Sequence, residues 1–172
     1  MSRPAAAPPV IGIREPGALD LVQTLLRQGL TVRIRVSGGS MRPLLQGGEL
    51  VKVAPLGHAI PRLGDILFIL SRQSTPIIHR LIWRRSRNGV PQFLTKGDAC
   101  SGFDGFIPAS QVLGRVEQIF FSEQKIVSLQ SPMLRLRAAF IVSRALLAQL
   151  GRKAKVCRLQ DKFLAIIFCS VL

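Results

Sequence analysis

Tyrosine is absent from this chain, tryptophan occurs once, and aromatic residues make up only 6% of its 172 positions. Single-strand nucleic-acid binding relies on aromatic rings that stack successive bases. So sparse a set, with no recognisable binding motif, argues against that class. Cysteine occurs three times, at Cys100, Cys157 and Cys169. The odd count and scattered spacing exclude a disulfide framework and offer no zinc-ligand pattern. Reduced thiols in a cytosolic setting are therefore expected, and no metal or organic cofactor is implied. Acidic residues number 9 against 24 basic ones, for a net charge of +15. Histidine occurs only at His58 and His79, which narrows any imidazole chemistry to two positions. No apolar run reaches the roughly 18 residues that a spanning helix needs. The first 17 residues hold no signal-peptide core, and the most apolar stretches, Ala138–Leu150 and Phe163–Leu172, fall short of a span. The expected location is cytoplasmic or peripheral on a membrane.

Hydrophobic residues nevertheless make up 48% of the chain, and the mean hydropathy is +0.32. Disordered chains combine high charge with low hydrophobicity, so this one is expected to fold, as one domain with an appendage. Apolar content together with positive charge points to an anionic surface as a partner. Residues 1–16, rich in Pro and Ala, read as a flexible N-terminus. Leu19, Leu21, Val22, Leu25 and Leu26 have helical spacing, which predicts a helix over 18–27. The period then becomes two. Val32, Ile34 and Val36 alternate with arginines, and short strands are expected at 31–36, 49–53, 66–70, 76–84, 93–96 and 112–121. On the strand from Pro76 to Arg84, Ile77, His79, Leu81 and Trp83 are expected on one face. The fold class is thus mainly β, with residues 17–125 as a β domain led by a short helix. Residues 126–172 form a basic, apolar C-terminal segment with one or two helices over 133–162.

Three places carry chemistry. Ser40 follows a strand in Ser37-Gly38-Gly39-Ser40-Met41-Arg42-Pro43, where glycines permit a sharp turn and leave amides free to face a carbonyl oxygen. An ordinary Gly/Ser turn has the same composition. His79 lies mid-strand; a histidine there often serves packing, yet a nucleophilic serine needs a base that titrates near neutrality. Thr95-Lys96-Gly97-Asp98, followed by Asp104, offers two carboxylates to orient an imidazole. Lys96 is an alternative base should burial lower its pKa.

Taken in order, Gly39-Ser40-Met41-Arg42-Pro43, Gly48-Glu49, Gly64-Asp65-Ile66, Ile78-His79-Arg80-Leu81, Phe93-Leu94-Thr95-Lys96-Gly97-Asp98 and Asp104 resemble the signal-peptidase and repressor-protease superfamily. The likeness is greatest to its histidine-containing branch, that of the endoplasmic-reticulum-type signal peptidase catalytic subunit, and covers about residues 30–120. It implies a signal-peptidase-like β core and a serine endopeptidase that cuts a peptide or preprotein after small residues, without a cofactor. Carried over by position, it implies Ser40 as nucleophile, His79 as general base and Asp104 as the carboxylate that orients it. Asp98 becomes a supporting aspartate, Lys96 a framework residue, and Met41 and Pro43 match residues that shape the turn; Gly38 and Gly39 are expected to support the site through their backbone. The chain departs from the pattern at Gly38, where many members have a serine that assists the oxyanion hole, at Glu49 in place of Asp, and at Cys100 in place of Asn.

Other readings remain beside it. One is a catalytically weak relative acting as a binding or maturation partner at a membrane surface. Another is a self-cleaving repressor, for which a single helix at 18–27 provides too little for DNA recognition. Residues 133–172 are expected either to contact anionic lipid or to pack on the β domain.

Overall fold

The structure, a computed structural model, describes residues 10–148 apart from 14, 58, 123 and 133. The protein is mainly β. Its strands are β1 (Val10–Ile11), β2 (Val32–Arg35), β3 (Leu50–Ala54), β4 (Ile66–Leu70), β5 (Pro76–Arg87), β6 (Val90–Lys96), β7 (Phe106–Pro108), β8 (Val112–Phe120) and β9 (Ile126–Ser128). They form one mixed sheet in the order β1-β2-β3-β8-β4-β5-β6-β7, with β9 beside β8. Among the described residues only the β1–β2 pairing is parallel. Helix α1 (Ala18–Arg27) and a second helix, α2, over 132–148 complete the described chain.

Burial follows the sequence pattern. β4 reads Ile-Leu-Phe-Ile-Leu because both of its faces are covered. Phe68 belongs to a large cluster with Val22 and Leu26 of α1, Ile34, Val51, Val53 and Ile119. Leu67 and Ile69, pointing the other way, join Leu81, Phe93 and Ile107 in a second cluster. β5 pairs Leu67 with His79 and Phe68 with Ile78, so His79 lies on the side of the second cluster.

The sheet extends past both limits of the 17–125 segment. Val10 and Ile11, expected in a flexible N-terminus, pair with Arg33 and Ile34. Ile126–Ser128 pairs with Gln118–Phe120. Strands of two or three residues are too short to show a period, and this is why sequence reading placed the boundaries inside them. Residues 1–9 of the expected N-terminal segment lie outside the described residues, as do 149–172 of the C-terminal one.

A second correction concerns Trp83. The β5–β6 register shifts between Leu81, which faces Thr95, and Trp83, which faces Leu94. One extra residue in β5 reverses the alternation. Trp83 therefore leaves the face of His79 and Leu81 and is 47% exposed, whereas Leu81 is wholly buried.

Candidate active site

Ser40 rides on the connection between β2 and β3. The base of that loop is clamped by Val36 N donating to Glu49 O at 2.9 Å and Gly48 N donating to Val36 O at 2.9 Å. Met41 and Leu45, 2% and 0% exposed, anchor the turn in the large core cluster. Gly38 has φ +90°, a left-handed value that side chains rarely adopt. The result is a fixed turn in which the amides of Gly39, Ser40 and Met41 donate to no acceptor among the described residues. Such amides are the raw material of an oxyanion site.

The loop is pinned further by Glu49, whose carboxylate accepts from Gln46 N at 2.9 Å and Gly47 N at 2.8 Å. Burial pushes this carboxyl up, but bonds from the Gln46, Glu49 and Gly47 amides and the nearby Arg42 charge outweigh it and hold the pKa below the ordinary value. The Glu49 side chain thus fastens the loop that carries Ser40.

His79 occupies the middle of β5 and is 7% exposed. Its Nε2 lies 3.0 Å from Ser40 Oγ and its Nδ1 lies 2.7 Å from Asp104 Oδ2. A carboxylate only accepts hydrogen bonds, so Asp104 favours the tautomer with the proton on Nδ1 and the Nε2 lone pair facing the serine hydroxyl. Asp104 sits just beyond β6, where its amide donates to Thr95 O at 2.9 Å. Thr95, fully buried, donates its hydroxyl to the same Asp104 Oδ2 at 2.8 Å. The structure thus brings Ser40, His79, Asp104 and Thr95 into one hydrogen-bonded chain. Sequence reading gave Thr95 no role. Its cue was a β-branched hydroxyl residue at a strand position that faces the core.

Asp98 does not enter that chain. It takes both arms of Arg80, with Nε donating to Oδ1 at 2.8 Å and Nη2 to Oδ2 at 2.6 Å. Arg80 Nη1 donates to Gly64 O at 2.8 Å. Both side chains of the pair are 5% exposed. A bidentate pair at this depth ties three segments together, and removing one partner would strand a buried charge. Lys96 reaches only Gly97 O, at 3.1 Å, which leaves His79 as the base candidate that contacts Ser40. His58 lies outside the described residues.

Gly97 closes the arrangement. A Cβ there would fall 2.7 Å from Ser40 O, 2.7 Å from Cys100 Sγ and 3.0 Å from His79 Nε2. Ala99 N donates to Ser40 O at 2.9 Å, so the Gly97–Ala99 turn is fastened to the backbone of Ser40 itself. A separate groove of about 1330 Å³ runs between α2 and the sheet. It is lined by Arg80, Lys96 and Asp98 and by none of Ser40, His79 or Asp104. Adjacent strand residues point to opposite faces, so this groove lies on the other side of β5 from His79 and is not where Ser40, His79 and Asp104 meet.

No protein-family model matches the chain, and no curated protein matches it in sequence. Among the described residues there is no cluster of side chains able to hold a metal ion.

Two outcomes follow from this geometry. Replacing Thr95 by Val keeps the shape but removes a charge-assisted hydrogen bond from Asp104; acylation of Ser40 by an activated ester should slow by about 10- to 100-fold. Thr95→Ser should restore the rate to within a few-fold, and equal rates for Val and Ser variants of unchanged melting temperature would contradict the role. For Glu49, a depressed folded pKa means that its stabilisation is full above the unfolded value near 4.5 and is lost as pH falls through the lower folded value. Urea melts should therefore show Glu49→Gln less stable than wild type at neutral pH, with the gap closing as the pH falls below the unfolded value of 4.5. A gap that is independent of pH would contradict this.

Proposed function

We propose that the protein is a serine endopeptidase of the signal-peptidase-like type, with Ser40 as nucleophile and His79 as general base. The observation that supports this best is the Ser40–His79–Asp104 chain, with contacts of 3.0 and 2.7 Å, held on a rigid strand and a core-anchored turn. The order of the motifs along the chain, which resembles that superfamily, favours the same reading.

In the proposed mechanism Ser40 Oγ attacks the scissile carbonyl carbon while His79 Nε2 takes its proton. Asp104, steadied by Thr95, keeps the ring oriented and stabilises the imidazolium. Amides of the Gly39–Met41 turn are available to the oxyanion, which makes a serine at position 38 dispensable. The imidazolium then protonates the leaving amine, and the amine departs. His79 next draws a proton from water as the water oxygen attacks the acyl carbon; the acyl–Oγ bond then breaks, the imidazolium returns the proton to Ser40 Oγ, and the acid product leaves. Substrates are peptides or preproteins cut after small side chains, as the resemblance implies.

Protein N-termini compared across cells making wild type, Ser40→Ala and His79→Ala test this. The proposal expects a set of N-termini present only with wild type, since loss of either residue lowers turnover by about 10⁴-fold or more. Identical N-termini in the three strains, with all three proteins folded at equal levels, would overturn it and point to a non-catalytic partner role.

A further inference from the structure

The face of α2 that turns away from the sheet has no partner among the described residues. The helix rests on the body through Ala138 and Val142, 9% and 5% exposed, with the Ala138 side chain against Gly64. On the opposite side Leu136, Phe140 and Leu147 are 74%, 64% and 66% exposed. Together with Ser143 they follow an i, i+4, i+7, i+11 spacing, which aligns them in one stripe along the helix. Arg137 and Arg144 run along one flank of this stripe and Arg135 along the other. The Arg144 guanidinium reaches the Phe140 ring, 6.0 Å from its centroid.

We propose that this face is a docking surface for a lipid bilayer that carries anionic headgroups. Three large apolar side chains in a row need an apolar phase to enter, and the arginines beside them need anions at the boundary of that phase. A headgroup–acyl interface offers both within one helix diameter. Charge complementarity favours this occupant over the others. Between Glu123 and Asp161 the chain has no acidic residue and eight basic ones. A second copy of α2 laid on the first would bring arginine rows together with no carboxylate to separate them. A nucleic acid would satisfy the arginines and leave the apolar stripe in water. The helix would lie in the interface and not cross it, since no described helix is long and apolar enough for a span. This inference does not depend on peptidase activity.

Flotation of the full-length protein with vesicles provides the test, using phosphatidylcholine alone and phosphatidylcholine with about one-third phosphatidylglycerol. Wild type should float with the anionic vesicles and remain behind with the neutral ones. Leu136→Ser with Phe140→Ser should abolish flotation, and Arg137→Gln with Arg144→Gln should weaken it by about tenfold or more. Ser40→Ala should float as wild type does. The four substituted α2 side chains are exposed, so equal melting temperatures will show that folding is intact. Undiminished flotation of the Leu136/Phe140 variant would overturn the proposal, as would equal binding to neutral vesicles. A lipid-free dimer that the Phe140→Ser change dissolves would assign the face to a second copy and likewise overturn it.

Discussion

Where β6 ends, the backbone passes so close to the Ser40 carbonyl and the His79 ring that only glycine fits, and the rest of the site depends on this approach at Gly97. The turn at 97–99 and the turn that carries Ser40 come from opposite parts of the chain and are joined by the Ala99–Ser40 hydrogen bond. If that contact opened, the 3.0 Å spacing between serine and imidazole would lose its link to the end of β6. The Ser40 loop contributes its own rigidity through Met41 and Leu45 in the core and through Glu49, whose carboxylate gathers two loop amides. Geometry of this kind is what converts a serine, a weak nucleophile alone, into a candidate for attack on a carbonyl.

β5 works on both of its faces at the same level. His79 points towards Leu67, Asp104 and Ser40, while its neighbour Arg80 points into the groove and grips Asp98 and Gly64. The buried ion pair therefore lies back to back with the imidazole and fixes the strand on which the base is mounted. The two aspartates divide the labour. Asp98 holds the backbone frame and Asp104 orients the ring. Thr95 adds a fully buried donor to the latter, so the carboxylate is fixed from two directions.

Much of this was legible in residue patterns. The helix at 18–27 and the strand at 66–70 lie where apolar spacing places them, because each buries a long, regular face. The turn at Ser40 is marked by its glycines. Less legible was whatever depends on one residue of register. The extra residue in β5 reverses Trp83 with no local sign in composition. β1 and β9 are too short for a period and exist because neighbouring strands offer them partners. Neither spacing nor composition tells Asp98 from Asp104 as loop carboxylates; the resemblance gave them different expected roles, and the path of the chain after β6 sets Asp104 against His79 and Asp98 against Arg80. Thr95 was visible as a residue but not as a donor, since hydrogen bonds between distant segments leave no spacing to read.

On the proposed reading, His79 makes Ser40 reactive. Intact-mass analysis of the purified protein after treatment with a fluorophosphonate tests it directly, because such reagents trap a serine hydroxyl only when a base draws off its proton. A single adduct should map to Ser40 in wild type and be absent from Ser40→Ala and His79→Ala. Labelling that persists in a folded His79→Ala variant, or a folded wild type that stays unlabelled at high reagent concentration, would contradict it.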